Sequence, residues 1–181
     1  MPRLTKATLQ KHLNHLEKEE LIEQLLALFT KFKGVNEHFQ MEYGETTQGV
    51  VDAYKAKLRK AFFGPRVRRP RLSAAKKIVS EFRKVALFDY DVVDLMLYRV
   101  ENSIEFVNNQ YYPFETFYNS IESAFADALK LIVTHRLHGE FRERCEKIVW
   151  FAGHNKYFGL HRNVWEMHRD VFGPEEKGLK E

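Results

Sequence analysis

DYDVVDLMLYRVENSIEFV, residues 89–107, is the stretch that decides the fold class. It carries Val92, Val93, Leu95, Met96, Val100, Ile104 and Val107, and the last four of these step by four, four and three. That spacing places them on one side of a helix, whereas a strand would alternate every second residue. Asp89 is read as the cap, since a short acidic side chain suits a helix start. Asn108 to Pro113 follows as a turn. A second long helix is predicted from about Phe114 to Leu137, with Phe117, Ile121, Phe125, Leu129 and Ile132 inward and Gly139 as its stop.

The same period extends in both directions. Upstream, Ser73 caps a predicted fifth helix with Ile78, Val79, Phe82 and Val85 on one face. A fourth runs from about Thr46 to Phe63, with Val51, Tyr54, Leu58 and Phe62 in phase and Gly64 and Pro65 ending it. Asn36 caps a short piece through Phe39 and Met41. Before it, Leu21, Ile22, Leu25, Leu26, Leu28, Phe29 and Phe32 make a wide apolar face, with Glu19, Glu20 and Glu23 at the dipole-favoured start and Gly34 as the stop. Leu4, Leu9, Leu13 and Leu16 form a first short helix capped by Thr5. Downstream, Phe141, Cys145, Ile148, Val149 and Phe151 define an eighth helix ending near Gly153. Val164, Met167 and Val171 define a ninth from Leu160 to Phe172, stopped by Gly173 and Pro174. The charged tail, 174–181, is expected to fray.

The expected fold is all-α, a compact array of about seven to nine helices packed as antiparallel hairpins with no significant sheet. Residues 1–181 are read as a single domain. The alternative division has an N-terminal subunit 1–64 and a C-terminal helical unit 73–173, joined by a basic loop 64–72. No residues recur at a constant offset of about 34–47, so the hairpins are not read as a repeat array.

Composition agrees. The 181 residues are 44% hydrophobic, 30% charged and 14% aromatic, with nine Gly and five Pro, which is globular rather than disordered usage. The longest run without Asp, Glu, Lys or Arg is Phe106 to Phe114, nine residues. A membrane span needs about 20, so no membrane is expected. Met1 to His15 has no apolar run of the kind a secretory signal requires. The single cysteine, Cys145, excludes an intramolecular disulfide and fits a reducing, cytoplasmic setting.

Four segments carry a family resemblance. They are Leu4-Thr5-Lys6 through Leu21-Ile22-Glu23-Gln24-Leu25-Leu26; Lys76 to Phe82 (KKIVSEF); Asp94 to Glu101 (DLMLYRVE); and Phe117 to Ser123 (FYNSIES). Together they resemble a bacterial family of about this length whose function is unassigned, over nearly the whole chain. The resemblance implies an all-helical bacterial cytoplasmic protein. It implies no activity and transfers no catalytic residue.

Charge placement is the strongest functional signal. Lys55, Lys57, Arg59, Lys60, Arg66, Arg68, Arg69, Arg71, Lys76 and Lys77 fall within 23 positions that hold no acidic residue. The rest of the chain has 19 basic and 25 acidic residues, so the net +4 conceals a basic segment on an acidic body. Guanidinium groups on a loop can fork onto phosphates, and the helix start after Ser73 also favours an anion. A nucleic-acid backbone is therefore one reading of 55–77. The other is a solvated loop pairing with the chain's own carboxylates, for example Glu17, Glu19, Glu20 and Glu23.

Three weaker patterns remain. Tyr98, Arg99 and Glu101 on one long helix, and Tyr118, Asn119 and Glu122 on the next, could line a groove for a peptide or small molecule, or form a buried network that sets helix register. The late histidines, His161 and His168 above all, could offer imidazoles to zinc in a metal-dependent enzyme. No His-Glu-x-x-His or multi-thiolate spacing supports this, so neither metal nor other cofactor is assigned. Cys145, inside a helix, is read as a core residue rather than a nucleophile. No residue is assigned a catalytic role. The leading reading is a non-catalytic helical interaction module whose partner is another protein or a second copy of itself. Nucleic acid through 55–77 is the alternative.

Overall fold

The computed structural model describes residues 4–44, 47–64 and 69–173. Among these, nine helices follow one another without a strand. They are α1 (Lys6–Leu13), α2 (Lys18–Lys31), α3 (Lys33–Tyr43), α4 (Gln48–Phe63), α5 (Leu72–Phe82), α6 (Asp89–Asn109), α7 (Glu115–His135), α8 (His138–Ala152) and α9 (Leu160–Phe172). The all-α expectation holds. The charged tail 174–181 and residues 65–68 of the basic loop lie outside the described residues.

α6 and α7 are the centre. Residues 110–114 turn the chain back between them, and their packing is the most extensive in the molecule. α6 buries residues on nearly every side because α4, α5 and α8 also lie against it. α9 closes the other side, against α7 and α8. Leu95, Leu97, Phe125, Phe82 and Cys145 are wholly enclosed. The inward residues expected of α7, from Phe117 to Ile132, are all buried.

Helix ends depart from the sequence reading in instructive ways. Gly34 does not stop α2. The break falls at Phe32, in an extended conformation, and Gly34 lies in the first turn of α3 together with Asn36. Glu17 and Glu20 form a capping box at the start of α2. Ser73 is inside α5 rather than its cap, Asp89 is the first residue of α6 rather than the cap, and neither helix start has a side-chain capping bond. Gly139 belongs to α8. α7 ends instead at Arg136, which takes the left-handed conformation at φ 58°, while Leu137 N–H reaches back to the Ile132 carbonyl at 2.9 Å. This is a Schellman closure completed without glycine, with the apolar Leu137 following it. Thr5 caps α1 as expected, accepting from Thr8 N–H.

The N-terminal part is built differently. α1 and α2 bury no residue, and α3 buries only Met41. α2 lies against α3, and α3 touches the body through α4.

Candidate functional site

α6 carries polar residues along the side that faces α4 and α8, and they are paired charge by charge. Lys55 of α4 reaches Asp94 at 2.7 Å. Arg144 of α8 is bonded to the other Asp94 oxygen, and its Nε and Nη2 donate to the two Glu101 oxygens at 2.6 and 3.0 Å. Arg59 of α4 clamps Glu105 with both terminal nitrogens and donates to Asn102 Oδ1 at 3.0 Å. Asn102 in turn donates to the Tyr98 carbonyl at 2.6 Å. Three cations thus meet three carboxylates across three helices.

Burial works against the Arg144 charge, but the bonds and charges of Glu101 and Asp94 outweigh it and hold the guanidinium above its ordinary range. Such a network specifies which helix faces meet, because a shift by one residue would strand buried charges. Beside it, α6 and α8 border a cleft of about 580 Å³ lined by Ile104, Asn108, Ile148, Trp150, Phe151 and His154.

The described cations of the basic segment divide between inward pairs and the exposed surface. Lys55 and Arg59 are consumed in the α6 network. Lys57 pairs with Glu37 at 3.5 Å and lies over the Tyr54 ring. Lys77 pairs with Glu81 at 3.8 Å. Lys60, Arg69, Arg71 and Lys76 are exposed, whereas Arg66 and Arg68 lie outside the described residues. The carboxylates that take up the inward cations are Glu37, Asp94 and Glu105, not the Glu17 to Glu23 face.

The six residues of the groove reading are spread over separate interfaces. Glu101 faces α8, Arg99 donates to Ser120 Oγ at 3.3 Å, and Glu122 accepts from Asn163 of α9 at 2.7 Å. Asn119 is exposed. Tyr118 is buried against Phe117 and Phe158. Burial pushes its phenol up, and Asn155 is the polar neighbour that works against the shift.

The late histidines are also dispersed. His168 is buried with its ring 4.8 Å from that of Phe172, His161 is exposed beside Gly153, and His135 pairs with Asp89 at 2.8 Å. Among the described residues, no three His, Cys, Asp or Glu come within reach of one metal ion. Cys145 is buried, and burial pushes its thiol up to about 12, leaving negligible thiolate at neutral pH.

The main exposed feature is apolar. Ile22, Leu25, Leu26, Phe29, Phe39 and Tyr43 line an open hollow of about 430 Å³ between α2 and α3. Leu26 is 59% exposed, Leu25 49% and Ile22 45%. These residues were singled out in the sequence as a wide apolar face. That the face has no cover among the described residues was not readable there. Arg144 was missed, although Phe141, Arg144, Cys145 and Ile148 share the i, i+3, i+4, i+7 spacing of one buried stripe.

The structure therefore defines an all-helical protein with an apolar core, a part-buried ion-pair network across α4, α6 and α8, and an apolar α2–α3 face left uncovered by the described residues. Among the described residues, no helix is long and apolar enough to cross a membrane. The chain belongs to a family of unknown function (DUF6155), whose profile matches residues 4–171. No curated protein and no solved structure matches it.

Proposed function

We propose that the protein is a non-catalytic helical interaction module that self-associates through the α2–α3 face. The observation that carries this reading is the exposure of Ile22, Leu25 and Leu26 along a helix that buries nothing in its own chain. A contiguous apolar hollow rimmed by charge is the usual mark of a contact site. A helix as short as α2 gains most of its stability from packing an apolar face, so the solvated arrangement lacks a stabilising surface.

The charge order on α2 points to a second copy as the occupant. Glu19, Glu20 and Glu23 lie toward its start and Lys31 at its end, and none of the four is ion-paired among the described residues. A two-fold axis across α2 sets two copies antiparallel, so each acidic start meets the other's basic end while the leucines meet in the middle. The helix dipoles oppose favourably in the same arrangement. A bacterial cytoplasmic setting is part of this reading, supported by the family resemblance and by a single cysteine that is a buried thiol.

Sedimentation velocity over a concentration series tests this. The wild-type chain is expected to dimerise below about 100 μM, which requires only about 5.5 kcal/mol of association. The double variant Leu25→Glu, Leu26→Glu is expected to stay monomeric with an unchanged helical circular-dichroism spectrum, because both positions are solvated in the single chain. A wild-type chain that remains monomeric to that concentration, or a variant that associates equally well, would refute the reading.

A further inference from the structure

A third cavity, on the far side of α6 from the ion-paired network, lacks that network's balance of charge. It measures about 200 Å³ and is lined by Lys76, Ser80 and Arg83 from α5 and its end, Met96 and Arg99 from α6, and Asp127 from α7. One water needs roughly 10–15 Å³ of such space, so there is room for a small polyatomic ion. Lys76, Ser80 and Arg83 follow one another at four and three residues, which brings them to one face of the α5 segment.

Arg99 is the unusual group. The two half-buried arginines of the opposite network, Arg59 and Arg144, are each bonded to carboxylates. Arg99 is not. Its Nη2 has a long 3.3 Å bond to Ser120 Oγ, and its Nε is enclosed with no hydrogen-bond partner. Burial works against its charge and only Asp127 opposes that effect, from beyond ion-pair distance.

Arg83 is no better satisfied. Its Nη2 is placed 3.1 Å from the Met96 sulfur, a weak acceptor. Lys76 is exposed and has no ion pair among the described residues. Three cations thus face one carboxylate around the cavity, and one enclosed N–H has no hydrogen-bond partner. Native structures rarely leave an enclosed guanidinium N–H unsatisfied.

We propose that the α5–α6–α7 cavity binds a small tetrahedral oxyanion, phosphate or a phosphoryl group on a small molecule, with Arg99 as its inner anchor and Arg83 and Lys76 closing on it from α5. A guanidinium offers a planar fork of donors that matches oxyanion geometry, and the ammonium adds a mobile point charge at the mouth. Ser80 Oγ supplies a neutral donor on the same wall. Phosphate fits better than a carboxylate because it presents more than two acceptor oxygens and more charge to three converging cations.

The probe is inorganic phosphate. Calorimetric titration of the full chain should show saturable one-to-one binding. On ¹⁵N-arginine-labelled protein, the Arg99 Nε–H resonance, assigned by its loss in Arg99→Met, should shift with the same saturation. Arg83→Ala and Lys76→Ala, both exposed positions, should each weaken binding about tenfold, as expected for losing one charge-assisted contact. Acetate should bind at least tenfold more weakly than phosphate. No saturable heat at about 10 mM phosphate, an affinity under about 3 kcal/mol, would overturn the site. Binding untouched by both Arg83→Ala and Lys76→Ala would also overturn it, even if Arg99→Met fails to fold. Acetate binding equal to phosphate would overturn the tetrahedral assignment. None of these outcomes depends on the α2–α3 face.

Discussion

α2 and α6 are both amphipathic helices with strong apolar stripes, yet the molecule treats them in opposite ways. α2 holds six large apolar side chains in 14 residues and buries none of them. α6 is flanked by α4, α5, α7 and α8 and buries even polar residues such as Asn102 and Ser103. The difference does not lie in the helices. It lies in what the rest of the chain brings to them. A stripe at helical spacing states that a surface wants cover, and it is silent on whether the cover comes from the same chain. In α6 the partners are intramolecular and arrive with matched charges. In α2 the main partner among the described residues is α3, and Ile22, Leu25 and Leu26 stay exposed.

The sharpest break in this comparison comes from the α6–α7 body. Phe125→Ala removes a wholly buried ring at the centre of α7 and should destabilise the chain by about 3–5 kcal/mol, through lost transfer free energy and the cavity left behind. Urea unfolding followed by far-ultraviolet circular dichroism checks it. A change below about 1 kcal/mol would mean that the body is no better packed than the arm. Arg144→Ala comes next. It leaves Asp94 with Lys55 alone and Glu101 with no cation, so the expected loss is about 3 kcal/mol, at the lower end for a broken buried pair because the site is partly wet. Arg144→Ala together with Glu101→Gln should recover part of that loss. No recovery would show that packing of the arginine stem, rather than its charge, is what the network uses.

The two regions were unequally legible. Helix phases from α4 to α9 could be read because their stripes are long and end at recognisable turns. Phe82, Phe125 and Val164 are buried where the spacing places them. Helix ends were less legible, since Arg136 adopts the left-handed conformation that the glycine rule assigns to Gly139, and tertiary packing of Leu137 outweighs that preference.

The candidate sites were legible only in part. The basic run 55–77 is plain in the sequence. Which of its cations turn inward depends on α6 carboxylates about 40 to 50 residues away, a pairing that no local pattern encodes. Arg99 and Arg144 had a signal that could have been used. Each lies on an apolar stripe, Arg99 with Val92, Met96 and Phe106, and Arg144 with Phe141, Cys145 and Ile148. A charged residue in phase with a buried stripe must find a partner.

The joint between the two regions yields the smallest expected effect and the most local one. Glu37 of α3 accepts from the Tyr54 hydroxyl at 2.7 Å and pairs with Lys33 and, on α4, with Lys57. Burial raises its carboxyl, but the bonds from Lys33 and Tyr54 and the Lys57 charge outweigh that and leave it below the ordinary value. Its folded value thus lies under the unfolded one of about 4.3, and its contribution is complete above that pH and is lost as pH falls through the folded value. Tyr54 gives the mirror effect. Burial and the bond to Glu37 raise its phenol, so its contribution is complete below the unfolded value of about 10 and is lost as pH rises through the folded one. The lysines that pair with Glu37 stay open to water, so the acid-side effect should stay at about 1 kcal/mol. Hydrogen exchange, corrected for intrinsic rates, should show α3 amides losing protection between pH 6 and pH 3 while α6 amides keep theirs. In Glu37→Gln the α3 protection should be lower at pH 6 and flat on acidification. If α3 and α6 lose protection together, the arm and the body are one cooperative unit and the contrast between them is one of surface alone.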